Sequence, residues 1–176
     1  MRVYPQLTAL SRQVVIAAAC LVAIAETSGQ GVAEVAILAP EQDATLFENA
    51  LGTGSSVFGE LAYVEVSSDG QHFARFPNAS LTPAAVGAYG NIDPTNVHNL
   101  AGKHVNAYGD SWGTPFDLSD LSNDPTVIAG QVNLNGIKLV RIIDIPGNGS
   151  FTDSAGHPIY DAWLTFGSGG FDLEAI

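Results

Sequence analysis

Carboxylates are the chemistry this sequence supplies in quantity, with 18 acidic side chains against six basic ones. Calcium takes roughly six to eight oxygens from acids, amides and backbone carbonyls held in loops. Asp43, Glu48 and Asn49 cluster ahead of the first strong strand. Asp172 and Glu174 occupy alternate positions of the last strand, which points them to one face. These five residues are the preferred metal set, and Asp144, Asp153 and Asp161 form a second one. The competing reading is an acidic rim in water, and the Asp153-Ser-Ala-Gly156 stretch is also ordinary turn chemistry. A glycosidase needs two facing carboxyl groups at a defined separation, and neither position nor spacing singles out such a pair.

Aromatic residues are the second resource. Tyr89, Tyr108, Trp112, Tyr160 and Trp163 fall in loop-like stretches among Asn, Asp and Gly. An aromatic plate beside amide and carboxylate hydrogen-bonding groups suits an exposed sugar site. Tyr108, Trp112, Tyr160 and Trp163 are the preferred ligand-binding residues; the alternative is that the two tryptophans cap the core under long loops. His98 and His104 lie six apart with Asp93 and Asp110 nearby, a conceivable zinc site. No cysteine pair or His-x-Glu-x-x-His spacing supports it, and ordinary surface histidines are the stronger reading. Ser168 sits in Gly167-Ser-Gly-Gly170, which lacks the spacing of a nucleophile elbow.

These side chains must be positioned by strands. Nineteen glycines and nine prolines in 176 residues are too many for a helix bundle and suit short strands joined by turns. From Phe58 to Val66 the apolar period is two: Ala62, Val64 and Val66 share one face, and Leu61, Tyr63 and Glu65 share the other. Ser68-Asp69-Gly70 is a turn, and His72 to Phe76 is the returning strand. Gly136 to Ile145 is the second strong strand, with Ile137, Leu139, Arg141 and Ile143 on one face. Both are expected to be central. A return follows through Pro146-Gly147-Asn148-Gly149, then a turn at Asp153 to Gly156 and strands at His157–Asp161 and Gly170–Ile176. The long polar stretch from Leu81 to Asp124 is expected to carry function or short elements of its own, with a helical turn at Ser119-Asp120-Leu121.

Residues 1–25 differ from the rest. Arg2 and Arg12 precede an apolar run from Val14 to Ala25 that ends in Ala23-Ile24-Ala25, the pattern of a secretory signal peptide. Twelve apolar residues are too few to span a bilayer comfortably. A buried N-terminal helix and a lipoprotein signal through Cys20 are the weaker alternatives. Cleavage after Ala25 removes the single cysteine and leaves 18 acids against Arg75, Lys103, Lys138 and Arg141, a net charge of −14. That balance excludes nucleic acid and anionic membrane surfaces as natural partners. It also makes a bound cation the expected remedy for self-repulsion in a domain without disulfides.

An ordered set of motifs adds a resemblance. Leu46-Phe-Glu-Asn-Ala50, Glu60 to Gly70 with Arg75-Phe-Pro77, Asn99-Leu-Ala-Gly-Lys103, Gly113-Thr-Pro-Phe-Asp-Leu118 and Gly167-Ser-Gly-Gly-Phe-Asp-Leu173 resemble a family of secreted bacterial cell-surface proteins, many with a PEP-CTERM sorting tail. Gly31 to Ala39 replaces that family's glycine-rich segment, and no sorting tail follows Ile176, so a short or trimmed member is expected. The Val66-Ser-Ser-Asp-Gly70 hairpin with the later Leu-Val-Arg-Ile strand resembles discoidin-like, galactose-binding jelly rolls. In carbohydrate-binding jelly rolls a structural calcium often sits where an early acidic loop meets the last strand, which is the resemblance's reason for preferring the first metal set.

The expectation is therefore all-β: a two-sheet antiparallel β-sandwich (jelly roll), with a signal peptide at 1–25 and a single domain at 26–176. Its expected role is that of a secreted or bacterial cell-surface module, non-catalytic and calcium-stabilised, for adhesion or glycan binding. No nucleic acid and no membrane span in the mature chain are expected. The alternatives are an extracellular polysaccharide hydrolase using a carboxylate pair and a structural envelope component.

Overall fold

The computed structural model describes residues 22–23, 32–36, 44–48, 50–53, 55–104, 113–163, 170–171 and 173–175. Its strands in chain order are β1 Val22–Ala23, β2 Val32–Ala36, β3 Ala44–Glu48, β4 Leu51–Thr53, β5 Ser56–Phe58, β6 Ala62–Ser67, β7 Ala74–Arg75, β8 Ala79–Ser80, β9 Val97–His98, β10 Thr114–Phe116, β11 Leu139–Asp144, β12 Asn148–Thr152, β13 Pro158–Tyr160 and β14 Leu173–Ala175. Among the described residues helix is confined to one turn, α1 (Pro125–Ile128), and three short 3-10 turns. The domain is all-β, built of several small antiparallel sheets. No helix among the described residues is long and apolar enough to cross a membrane.

The two strong strands of the sequence pair with each other. β11 lies between β2 and β6 in a five-stranded sheet of order β1-β2-β11-β6-β7. Its register sets Ile142 opposite Val64, Val140 opposite Val66 and Arg141 opposite Glu65. The β-branched side chains that give these segments their strand preference thus meet as direct cross-strand neighbours. The hairpin from β6 to β7 closes over side-chain bonds to its own backbone. Ser67 Oγ accepts from the N–H of Asp69 and Gly70, Asp69 Oδ1 accepts from the N–H of Gln71 and His72, and Gly70 takes φ +78°.

All six residues of β6 are buried, so an alternating pattern ends in a strand with no solvent face. On one side Val64, Val66, Val140 and Ile142 share a core with Leu46 of β3, Phe116 of β10 and Phe76, the two phenyl rings 5.0 Å apart. β3 and β10 belong to a three-stranded sheet of order β10-β3-β14, which brings the C-terminal strand against the early one. On the other side Leu61, Tyr63 and Ile145 pack with Ile92, Val97, Leu100 and Ile159. That second core is roofed by the stretch after β8 and by the β12–β13 hairpin.

The stretch read as a return at Pro146–Gly149 is in part a strand: β12 begins at Asn148 and pairs with β13 across the turn at Asp153–Gly156. The helical turn expected at Ser119–Leu121 is a 3-10 turn over Leu118–Leu121. Within the expected leader, Val22 and Ala23 form β1 and pair with Val35 and Glu34 of β2; the rest of residues 1–25 lies outside the described residues.

Candidate functional site

Many of the acids turn out to be builders of turns. Asp93, Asp117 and Asp124 each accept the backbone N–H two residues on and cap the short helical turns that follow. A hydroxyl and an N–H from Thr95 hold Asp93 below the usual carboxylate range, and Ser119 does the same for Asp117. Asp153 is buried in the β12–β13 turn. Burial acts to raise its pKa, but N–H donors from Ser80, His157 and Ala155 and the His157 ring more than offset it, so it stays ionised. Both of its oxygens are engaged, Oδ1 within the hairpin and Oδ2 with the His157 ring and with Ser80 of β8.

The other two members of that metal set do come together. Asp144 ends β11 and Asp161 follows β13, and with Glu60 they press on one another. Burial first, then the neighbouring Asp144 and Glu60 charges, push the Asp161 carboxyl up to about 8, although the Leu61 N–H donated to Oδ2 at 2.8 Å works the other way. Asp161 is 1% exposed. A Cβ on Gly147 would stand 1.6 Å from its Oδ1, so only glycine lets the chain pass so close. Glu60 Oε1 accepts the Gly170 N–H at 2.8 Å and Asp144 Oδ1 accepts the Phe171 N–H at 2.9 Å. These carboxylates therefore moor the segment that leads into β14. Glu60 was missed in the sequence because it lies about 100 residues from its neighbour and at the polar start of a strand, where a solvated acid is expected.

Of the first metal set, Asp43, Asn49 and Asp172 lie outside the described residues. Glu48 and Glu174 are placed by their strands: β14 pairs with β3 with Leu173 opposite Glu48, so the two backbone segments that carry the set are neighbours. Oxygen donors from two adjacent strands and their flanking loops are of the kind a hard cation prefers. Among the described residues no group of three or more His, Cys, Asp or Glu side chains is placed to hold a metal ion. His104 Nδ1 lies 3.0 Å from the Gly113 carbonyl, His98 is exposed on β9, and Asp110 and Ser168 lie outside the described residues.

The aromatic candidates separate. Tyr108 and Trp112 lie outside the described residues. Tyr160 is half-buried, its ring lying against the backbone at Gly149, where a Cβ would meet Cε1 at 2.5 Å. Trp163 is 41% exposed, and its backbone N–H donates to the Gly87 carbonyl at 3.1 Å. Beside that carbonyl stands Tyr89, 63% exposed, on a turn closed by the Gly90 N–H to the Gly87 carbonyl at 3.1 Å. Its ring stacks on the half-buried Phe58 at 6.3 Å and 20°. Tyr89 takes φ +56°, a region that tyrosine enters at a cost. Phe58 carried no signal of its own in the sequence, since it reads as one more strand residue.

One charged group lies where the sequence pattern gave no hint of burial. Glu65 is 5% exposed, and both of its oxygens are taken by arginines from the flanking strands. Arg75 Nε and Nη2 reach Oε1 at 2.7 and 2.6 Å, while Arg141 Nε reaches Oε2 at 2.6 Å with Nη2 beside it. Arg75 lies 4.3 Å over the Tyr63 ring and Arg141 3.5 Å over Phe73. The register continues the row to Glu34 of β2, opposite Arg141.

The chain matches no protein-family model, no curated protein and no solved structure.

Proposed function

We propose that the chain is an exported, non-catalytic surface module that binds glycan in adhesion, built as a two-sheet jelly roll and stabilised by calcium. The observation that carries this reading is Tyr89. A bulky side chain in the left-handed region costs on the order of 1–2 kcal/mol, and glycine would hold the same turn without that cost. Burial does not repay it, because the ring is 63% exposed. What the tyrosine adds is an outward aromatic face, supported by Phe58, on a turn whose Gly87 carbonyl accepts the backbone N–H of exposed Trp163. Rigid, partly exposed aromatics of this kind serve recognition rather than folding.

Tyr89→Gly should therefore raise stability by about 1 kcal/mol while abolishing retardation of the protein in affinity electrophoresis through polysaccharide gels. A variant that loses stability and keeps its retardation would remove Tyr89 from the site. The hydrolase alternative draws no support from the carboxylates that do converge, because a general acid must touch the glycosidic oxygen and Asp161 is 1% exposed.

Calcium is supported by the adjacency of β3 and β14 and by the surplus of 18 acids over six bases. A ligand bound only by the native state stabilises it by about 2.7 kcal/mol at a hundredfold excess over Kd. Chelation should lower the melting temperature by several degrees, calcium should restore it where magnesium does so poorly, and Asp172→Ala should abolish the difference. Identical melting curves with chelator and with millimolar calcium would reject a structural calcium. A calcium effect that survives Asp172→Ala would move the site to Asp144 and Asp161.

A further inference from the structure

We infer that the surface formed by Phe58, Tyr89 and Trp163 takes an uncharged hexopyranose polymer, an inference that rests on the glycan-binding reading above and names its ligand class. The segments that build this surface, 50–53, 55–59 and 77–92 together with Ala162 and Trp163, contain no charged side chain. That is unusual in a chain where 24 of 176 residues are charged, and these segments themselves supply no guanidinium or ammonium to pair with a carboxylate or sulfate. The described arginines are engaged elsewhere, on Glu65, and Lys103 donates to the Val97 carbonyl in a partly buried position. Acids adjoin these segments; Glu60 and Asp161 are buried, Asp93 is held below the usual carboxylate range by Thr95, and the net charge of −12 adds a field that repels polyanions.

What the surface does offer is suited to a neutral sugar. The Tyr89 ring stands outward on a stacked support, and pyranose rings present C–H faces that pack on such a plate. Exposed Ser56 and Asn91, joined by a 2.9 Å hydrogen bond, lie two residues from Phe58 and Tyr89 respectively and supply hydroxyl-matching donors and acceptors at its border. Leu51 pairs with Phe58 across the β4–β5 hairpin and is 45% exposed, which extends the apolar strip.

The test is affinity electrophoresis of the full chain through gels holding a neutral glucan, galactan or mannan, and through gels holding polygalacturonate or alginate, at 50 and 500 mM salt. The expected result is retardation by at least one neutral polymer, changed less than twofold by salt, lost at least tenfold in both Tyr89→Gly and Trp163→Ala, and absent with the polyanions. Retardation by polyanions alone, fading at high salt, would overturn the ligand class while leaving a glycan site standing. No retardation by any polymer, with sedimentation that shifts from dimer to monomer in Tyr89→Gly, would overturn the glycan reading itself and make the strip a contact between copies. No retardation and no shift would overturn both.

Discussion

Glu65→Ala is expected to cost about 3 kcal/mol of stability, a large share of the roughly 5–15 kcal/mol that holds a domain together. The cost comes from what remains. With the carboxylate gone, two guanidiniums face each other across the strand between them, and both have lost the Glu65 oxygens that held them. The burden is unequal, because the Arg75 side chain is 44% exposed and can turn into water, whereas that of Arg141 is 29% exposed and stacked on Phe73. Arg75→Leu should therefore cost about 1 kcal/mol or less and Arg141→Leu more, while replacing all three residues by leucine should recover most of the loss. Urea denaturation of the four variants checks the order. A Glu65→Ala midpoint within experimental error of the parent would show that the row contributes nothing net.

The second large effect is a loss of stability at alkaline pH centred on Asp161. The unfolded chain gives up this proton near 3.8, while the folded chain holds it until about 8. Between those limits the native state binds more protons than the unfolded one, so stability falls as pH rises. The contribution is fully present below about 4 and gone above about 8, and since each tenfold in proton affinity is worth about 1.4 kcal/mol, several kcal/mol are at stake. Asp153 runs the other way: held below its ordinary value, it contributes stability above 3.8 that is lost as pH falls. Asp161→Asn keeps an acceptor for the Leu61 N–H and cannot ionise, so its melting temperatures at pH 6 and pH 9 should agree where the parent drops by many degrees. Parallel curves for the two proteins would mean that the carboxyl titrates normally. Repeating the parent series in calcium carries further information. If the ion binds at Asp144 and Asp161 it should remove the alkaline loss, and if it binds between β3 and β14 the loss should remain.

How far the sequence could be read depended on the range of the interaction. Val64 and Ile142 stood out because a period of two is a local property, and the structure sets them directly opposite each other. The same period led one face of β6 to be read against the other, yet both are covered. Alternation tells which side chains share a face, not how many faces the rest of the chain will roof, and here the second roof comes from segments 30 to 100 residues away. Glu65 shows the limit most clearly. Its burial depends on arginines 10 and 76 residues distant, and nothing in Tyr-Val-Glu-Val announces them. The convergence of Glu60, Asp144 and Asp161 has the same character. Tyr89 was noted as a loop aromatic, but its strained backbone could not be anticipated, because Gly87 and Gly90 beside it look sufficient to supply any unusual turn geometry. Loop acids such as Asp93, Asp117 and Asp124 were legible in type but ambiguous in role, since capping a turn and binding a cation call for the same residue.

β1 leaves one matter for the sheet as a whole. If export trims the chain at Ala25, Val22 and Ala23 depart and β2 becomes the outermost strand of the five-stranded sheet. An unpaired edge reading Val-Ala-Glu-Val-Ala is a template onto which another chain can add a strand, the first step toward fibrous aggregates. Glu34 sits at the middle of that edge, in register with Arg141. A charge there acts as a gatekeeper, since a second copy stacking in register would bring like charges together. A glutamate at that register position would thus protect the trimmed molecule from polymerising through its own border.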